Sequence, residues 1–240
     1  MVVRTPANPT FWWGNFLLFP AAPRAGDAER WDRLFTAALP AARHRAYGIE
    51  MPDGEIGEIG EIGEAAELAA LRVAPEVSTV LTASGLREPP APSGAVCRPL
   101  AGDGDWAQAL QLRLACDDRD GDSEHTLFLR RKLEEARRLT DRGCGAWFGA
   151  FVDRRLVAHL GVVSDRGGLA RYQSVETAPD FRRRGFAARL LYEASRYAID
   201  ERGADTLVIV ADPDYHAIDL YRSLGFTDAE QQTQLATTTG

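Results

Sequence analysis

Apolar and polar positions alternate along this chain in blocks, and their spacing predicts an α/β order in both halves. In the first half Phe11–Phe19 is an aromatic-rich strand. Asp27–Leu39 carries Trp31, Leu34, Phe35 and Ala38 at helical spacing, and Pro40 ends it. Arg43–Glu50 reads as a strand, Glu64–Leu71 as a short helix and Val77–Thr82 as another strand.

The second half opens with a short strand, Val96–Leu100. The helix Asp105–Cys116 follows, with Trp106, Leu110 and Leu114 on one side. Ser123–Arg142 is a longer helix, with Ser123 placed to cap it and Gly143 to stop it. Ala146–Val152, Leu156–Val163 and Leu169–Thr177 are strand-like runs separated by turn residues, which predicts an antiparallel meander. Phe186–Arg202 sets Phe186, Leu190, Ala194 and Tyr197 in helical register, with Gly203 as the stop. Thr206–Ala211 is almost wholly apolar, as a strand covered on both faces would be. A short helix, Tyr215–Leu224, and a weak strand, Gln232–Ala236, complete the chain. Hairpins followed by a strand–helix–strand crossover imply a mixed sheet.

Two segments interrupt this order. Arg87–Gly94 is rich in proline and small residues and reads as a linker. It predicts an N-terminal α/β half over 1–88, a linker over 89–94 and a second domain over 95–240. Gly54–Glu64 repeats Gly-Glu-Ile, a spacing of glycines that suits a solvated loop expansion or a short interaction motif.

Composition narrows the functional classes. The chain of 240 residues is 45% hydrophobic and 26% charged, ordinary for a globular protein. Its formal charge of -7 argues against general nucleic-acid or anionic-membrane binding. No apolar run approaches the roughly 18 residues that span a bilayer. Cys97, Cys116 and Cys144 show neither a C-x-x-C pair nor metal-ligand spacing, so reduced thiols, a cytoplasmic location and no metal are expected.

The junction Thr177–Ala187 carries the chemistry. A strand ends, Pro179 marks the break and a helix starts near Gly185 after Arg182, Arg183 and Arg184. Backbone N–H groups at a helix start lack intrahelical partners and sit at the positive end of its dipole. That makes an anion site, which Gly185 leaves approachable and the arginines supplement with charge-assisted donors. An arginine-rich, solvated helix start is the plain alternative. A nucleotide site of the P-loop kind would need a glycine-rich loop ending in lysine and Ser/Thr, which is absent.

Ala217–Phe226, with Leu220-Tyr221 and Gly225-Phe226, follows the crossover strand. With the Arg-x-x-Gly-x-Ala loop, this pair of motifs resembles the GNAT superfamily of N-acyltransferases over about residues 95–240. The resemblance implies a mixed, mostly antiparallel sheet flanked by helices, and acetyl-CoA as cosubstrate. It implies that Val175, Glu176 and Thr177 line the pantetheine arm. Arg182, Arg183, Arg184, Gly185, Phe186, Ala187 and Ala188 would hold the pyrophosphate. Tyr221 would sit near the cofactor sulfur and protonate the leaving thiolate. Asp214 stands where many members have asparagine, and an ionised aspartate accepts but cannot donate.

The implied reaction is direct attack of a primary amine on the thioester in a ternary complex. A fourth-strand N–H would polarise the carbonyl, and water or a carboxylate would take the proton. Glu176 is the nearest candidate base, although strand alternation leaves its direction open. His159 and His216 are weaker candidates, each read more readily as a structural or surface histidine. The acceptor is an amine of a small molecule or a protein, and a homodimer stands open. The alternative function is a non-catalytic acyl-CoA sensor or scaffold.

The first half can be laid beside the catalytic half as a degenerate repeat, Ala65–Ala69 against Ala217–Tyr221, with Ala69 in the tyrosine's place. It has no Arg-x-x-Gly-x-Ala loop between Pro20 and Asp27, so one active site per chain is expected.

Overall fold

The structure, a computed structural model, describes residues 1–50, 65–117, 123–165 and 167–237. The Gly-Glu-Ile segment lies outside them, as do Glu64 and Arg166. Two compact units emerge, Met1–Val80 with Glu230–Gly240, and Leu81–Ala229. This division differs from the expected boundary at 89–94. The C-terminal strand β10 (Thr227–Thr237) pairs antiparallel with β3 of the first unit, Leu235 opposite Tyr47. Leu81, within β4 (Val73–Ala83), belongs to the core of the second unit.

The first unit contains β1 (Val2–Val3), β2 (Phe16–Phe19), α1 (Asp27–Ala38), β3 (Ala46–Ile49) and α2 (Ala65–Leu71). Its strands lie in the order β1-β2-β3-β10-β4. β2 and β3 are parallel, joined by α1. Trp31 and Phe35 of α1 are almost fully buried with Tyr47 and Leu235, and the Phe19 ring stacks on Trp31 at 3.8 Å. Burying each such side chain contributes roughly 1.5–3 kcal/mol. The expected strand Phe11–Phe19 is shortened to Phe16–Phe19. Asn15 is the reason: its side chain donates to the Asn8 and Phe11 carbonyls and accepts the Thr5 N–H, holding Trp12–Gly14 in a 3-10 turn.

The second unit contains β5 (Ala95–Pro99), α3 (Gly102–Ala115), α4 (Ser123–Asp141), β6 (Gly145–Val152), β7 (Arg155–Ser164), β8 (Leu169–Thr177), α5 (Phe186–Asp200), β9 (Thr206–Ala211) and α6 (Ala217–Leu224). Its strands run β9-β8-β7-β6-β5, antiparallel except for β8 with β9. This is the mixed, mainly antiparallel, helix-flanked sheet that the sequence predicts.

Strand alternation divides the core of this unit. Ala146, Phe148 and Ala150 join Leu190, Leu191 and Ala194 of α5. Trp147 and Phe151 join Trp106 and Leu112 of α3 and Leu133 of α4. α3 begins three residues earlier than expected. Asp105 lies inside its first turn, accepting the Ala101 N–H and pairing with Arg98. Among the described residues no helix is long and apolar enough to cross a membrane, and Cys97, Cys116 and Cys144 are free thiols.

Candidate active site

The site forms where β8 leaves its neighbours. Pairing of β8 with β9 is confined to Leu169–Arg171 against Thr206–Val208, so the later residues of β8 have no β9 partner. On its other side β8 skips a residue against β7. His159 faces Glu176 and Gly161 faces Gln173, which sets Leu160 against both Ser174 and Val175. This is a β-bulge, and Ser174 takes a left-handed φ of 51° within it. Beyond the bulge Ala178 donates its N–H to Val157 O. By alternation, the Val175 and Thr177 backbone groups face away from β7, toward the opening.

That opening is one cavity of about 860 Å³. Val175, Glu176 and Thr177 line it, as do Arg182, Arg183, Gly185, Phe186, Ala187, Ala188 and Tyr221. Of the residues expected at the site, Arg184 and Asp214 fall outside this lining. The Arg184 guanidinium packs over the Phe181 ring, 5.0 Å from its centroid, and the Asp214 N–H turns back to Asp212 Oδ1. His216 also lines the cavity, whereas His159 is fully buried behind Glu176.

α5 presents its N-terminus to the cavity. Gly185 is its N-cap with φ 83°, ψ 0°, no side chain caps the helix, and its first turn holds no acidic residue. A Cβ built on Gly185 would meet nothing within 4 Å, so the cradle is open. These are the properties a pyrophosphate group requires: uncommitted N–H donors, flanking guanidinium groups and close backbone approach.

At the other wall, Tyr221 of α6 is 6% exposed. Its hydroxyl makes no hydrogen bond to a described residue. Burial, with the nearby Tyr215, pushes its phenol up to about 12. The group is therefore a protonated donor at neutral pH.

Glu176 points into the unit from the α3/α4 face. Oε1 lies 3.1 Å from Arg113 Nη1 and Oε2 lies 3.1 Å from His159 Nε2. Burial works to raise its carboxyl, but His159, Arg113 and Lys132 together hold it below the usual carboxylate value. The sequence reading missed Arg113, Cys116, Asp117 and Leu129, which complete the cavity from α3, the residues just after it and α4. Asp117 is paired with His125 at 2.6 Å, and Cys116 Sγ donates to Thr177 O. Among the described residues no cluster of three or more His, Cys, Asp or Glu could hold a metal ion.

Residues 106–226 match the model of the Acetyltransferase (GNAT) family. The chain belongs to the GNAT family. The matched residues run from α3 to the end of α6 and carry every residue lining the cavity.

Solved structures resemble most or nearly all of the chain in fold. A functionally unknown conserved protein from Staphylococcus epidermidis ATCC 12228 superposes with a TM-score of 0.73 at 13% identity, over 98% of this chain and 89% of that one. A GCN5-related N-acetyltransferase from Kribbella flavida gives 0.60 at 17% identity, over 96% and 84%. A tandem GNAT protein from the clavulanic acid biosynthesis pathway gives 0.60 at 16% identity, over 88% and 69%. No curated protein matches the chain. The first unit thus resembles part of a tandem GNAT, in line with the repeat read from its sequence.

Proposed function

We propose that the chain transfers an acetyl group from acetyl-CoA to a primary amine by direct attack in a ternary complex. The observation that carries this reading is the joining, in one cavity, of an uncapped helix N-terminus, a splayed strand edge and a buried tyrosine. In this reading the α5 N–H groups with Arg182 and Arg183 bind the pyrophosphate, and the outward backbone groups of Val175 and Thr177 align the pantetheine arm.

The amine nitrogen forms a bond to the thioester carbon and becomes the acidic nitrogen of a tetrahedral adduct. A β8 backbone N–H stabilises the developing oxyanion. Glu176 takes up the nitrogen's proton, and Tyr221 donates its own to the sulfur as the C–S bond breaks. Acidity of the adduct nitrogen lets a carboxylate of depressed basicity serve. The products are an amide and free coenzyme A.

The test is release of free thiol from acetyl-CoA against a panel of short alkylamines, aminoglycosides and peptides bearing lysine or a free N-terminus. Amine-dependent thiol release supports the reading. Calorimetric binding of acetyl-CoA without turnover across the panel would replace it with the sensor or scaffold. Cytoplasmic location and the homodimer remain part of the proposal, the latter tested by light scattering.

A further inference from the structure

Glu176 is held at both oxygens, and one of the two holders is a residue for which the acetyl transfer so far has no use. His159 is 0% exposed and sits directly opposite Glu176 across the β7–β8 ladder. Its Nδ1 lies 3.3 Å from Trp147 Nε1, on the next strand. An indole N–H can only donate, so Nδ1 must be the bare, accepting nitrogen and the ring proton must reside on Nε2. That nitrogen faces Glu176 Oε2 at 3.1 Å, close but not aligned as a full hydrogen bond.

The arrangement is built by the sheet. Gly161 lies opposite Trp147 in the β6–β7 pairing, and a Cβ there would collide with the indole ring. The bulge at Ser174 and Val175 then brings Glu176, rather than a neighbour, opposite His159. Arg113 grips the other end, its Nη1 reaching both Glu176 Oε1 and Ser174 Oγ. The chain Trp147–His159–Glu176–Arg113 thus crosses β6, β7 and β8 and ends on α3. The buried ring with its fixed proton faces Oε2, while Glu176 itself still lines the cavity.

We propose that His159, its tautomer fixed by Trp147, is a positioning residue that aims the Glu176 carboxylate at the acceptor nitrogen. The inference rests on the acetyl-transfer reading of the site. Groups facing Glu176 are Arg113 of α3, Cys116 at the end of that helix, Lys132 of α4 and His159 of β7. His159 is one of three groups, with Arg113 and Lys132, that keep the carboxylate ionised against burial. Its loss therefore raises the Glu176 carboxyl and moves the acidic limb of kcat/KM to higher pH.

The experiment is the pH profile of thiol release with the best amine of the panel. His159→Leu should move the acidic limb to higher pH, lower kcat and leave KM for acetyl-CoA unchanged. His159→Gln, which returns an amide N–H near the position of Nε2, should restore the limb. Trp147→Phe, which frees Nδ1, should move it less and in the same direction.

An unmoved limb in His159→Leu, or in Trp147→Phe where the first variant does not fold, overturns the proposal. Glu176→Gln separates the two levels. If it keeps full activity, the reading of Glu176 as base fails. If it abolishes activity while the His159 variants leave the limb in place, the positioning role alone fails. Independently of turnover, 15N imidazole spectra should show the Nε2-protonated tautomer at neutral pH, and the Nδ1-protonated tautomer or the imidazolium would overturn the proposal.

Discussion

Gly26 and Gly185 hold the same backbone conformation at the starts of two helices, φ 86°, ψ 0° before α1 and φ 83°, ψ 0° before α5. Both helices join parallel strands, β2 to β3 and β8 to β9. The two helix ends differ in what fills them. α5 is uncapped, free of acid in its first turn and flanked by arginines. α1 has Asp27 and Glu29 in its first turn, and the Glu67 carboxylate accepts the N–H of Gly26 at 3.0 Å and of Ala28 at 2.7 Å. Glu67 is the residue that the sequence reading sets beside Asp219, a cavity-lining residue of the second unit. In the first unit the protein's own carboxylate takes the place an anion would need. Titration with acetyl-CoA should therefore saturate at one equivalent per chain, and two equivalents would refute this. Glu67→Ala should keep that stoichiometry and cost about 1 kcal/mol of stability in thermal unfolding, the usual scale for losing a helix cap.

At Gly185 the same conformation serves a ligand. Space around its missing Cβ is open, so a larger residue strains the left-handed backbone by about 1–2 kcal/mol without a packing clash. Gly185→Glu also sets a carboxylate among the N–H groups assigned to the pyrophosphate. Calorimetry should show acetyl-CoA affinity reduced by at least about tenfold, a loss of roughly 1.4 kcal/mol. Native affinity would remove the loop from the cofactor site.

Tyr221→Phe deletes one hydroxyl and leaves the ring packed among α6 and Phe226, 6.3 Å between centroids. A general acid contributes roughly a hundredfold or more. The variant's kcat should fall by about that factor while the affinity for acetyl-CoA stays within about twofold, measured by thiol release and calorimetry. The pH dependence has a definite sign. Because burial raises the phenol to about 12, wild-type activity should show no alkaline loss from Tyr221 between pH 7 and 10. Stability from keeping this phenol neutral is complete below its unfolded value near 10 and is lost as pH rises through about 12. A loss of activity near pH 10 that vanishes in Tyr221→Phe would contradict the burial argument.

What could be read from the sequence follows the range of the interactions. The α5 start and the Tyr221 helix were legible because a glycine, a break at Pro179 and helical spacing are local signals. Arg113 was not, since its contact with Ser174 spans 61 residues and depends on the bulge. The direction of Glu176 was left open by simple alternation for the same reason: the extra residue in β8 resets which face follows it. Glu67 reaches Gly26 across 41 residues, and no local pattern announces it. The strand expected over Phe11–Phe19 ignored the turn that Asn15 holds through its amide.

The last prediction concerns Gly161, whose lack of a side chain admits the Trp147 ring. Gly161→Ala places a methyl group inside the indole's van der Waals envelope, with both residues held in the β6–β7 pairing. The ring must move, at a cost of about 1–3 kcal/mol typical of an overpacked core, read as a lowered denaturant midpoint at unchanged slope. Movement of Trp147 also withdraws the donor from His159 Nδ1. The destabilised variant should therefore show the same upward drift of the acidic limb as Trp147→Phe, measured well below its unfolding transition. Lost stability with an unchanged limb would mean that the indole fills space only and has no part in setting the Glu176 carboxylate.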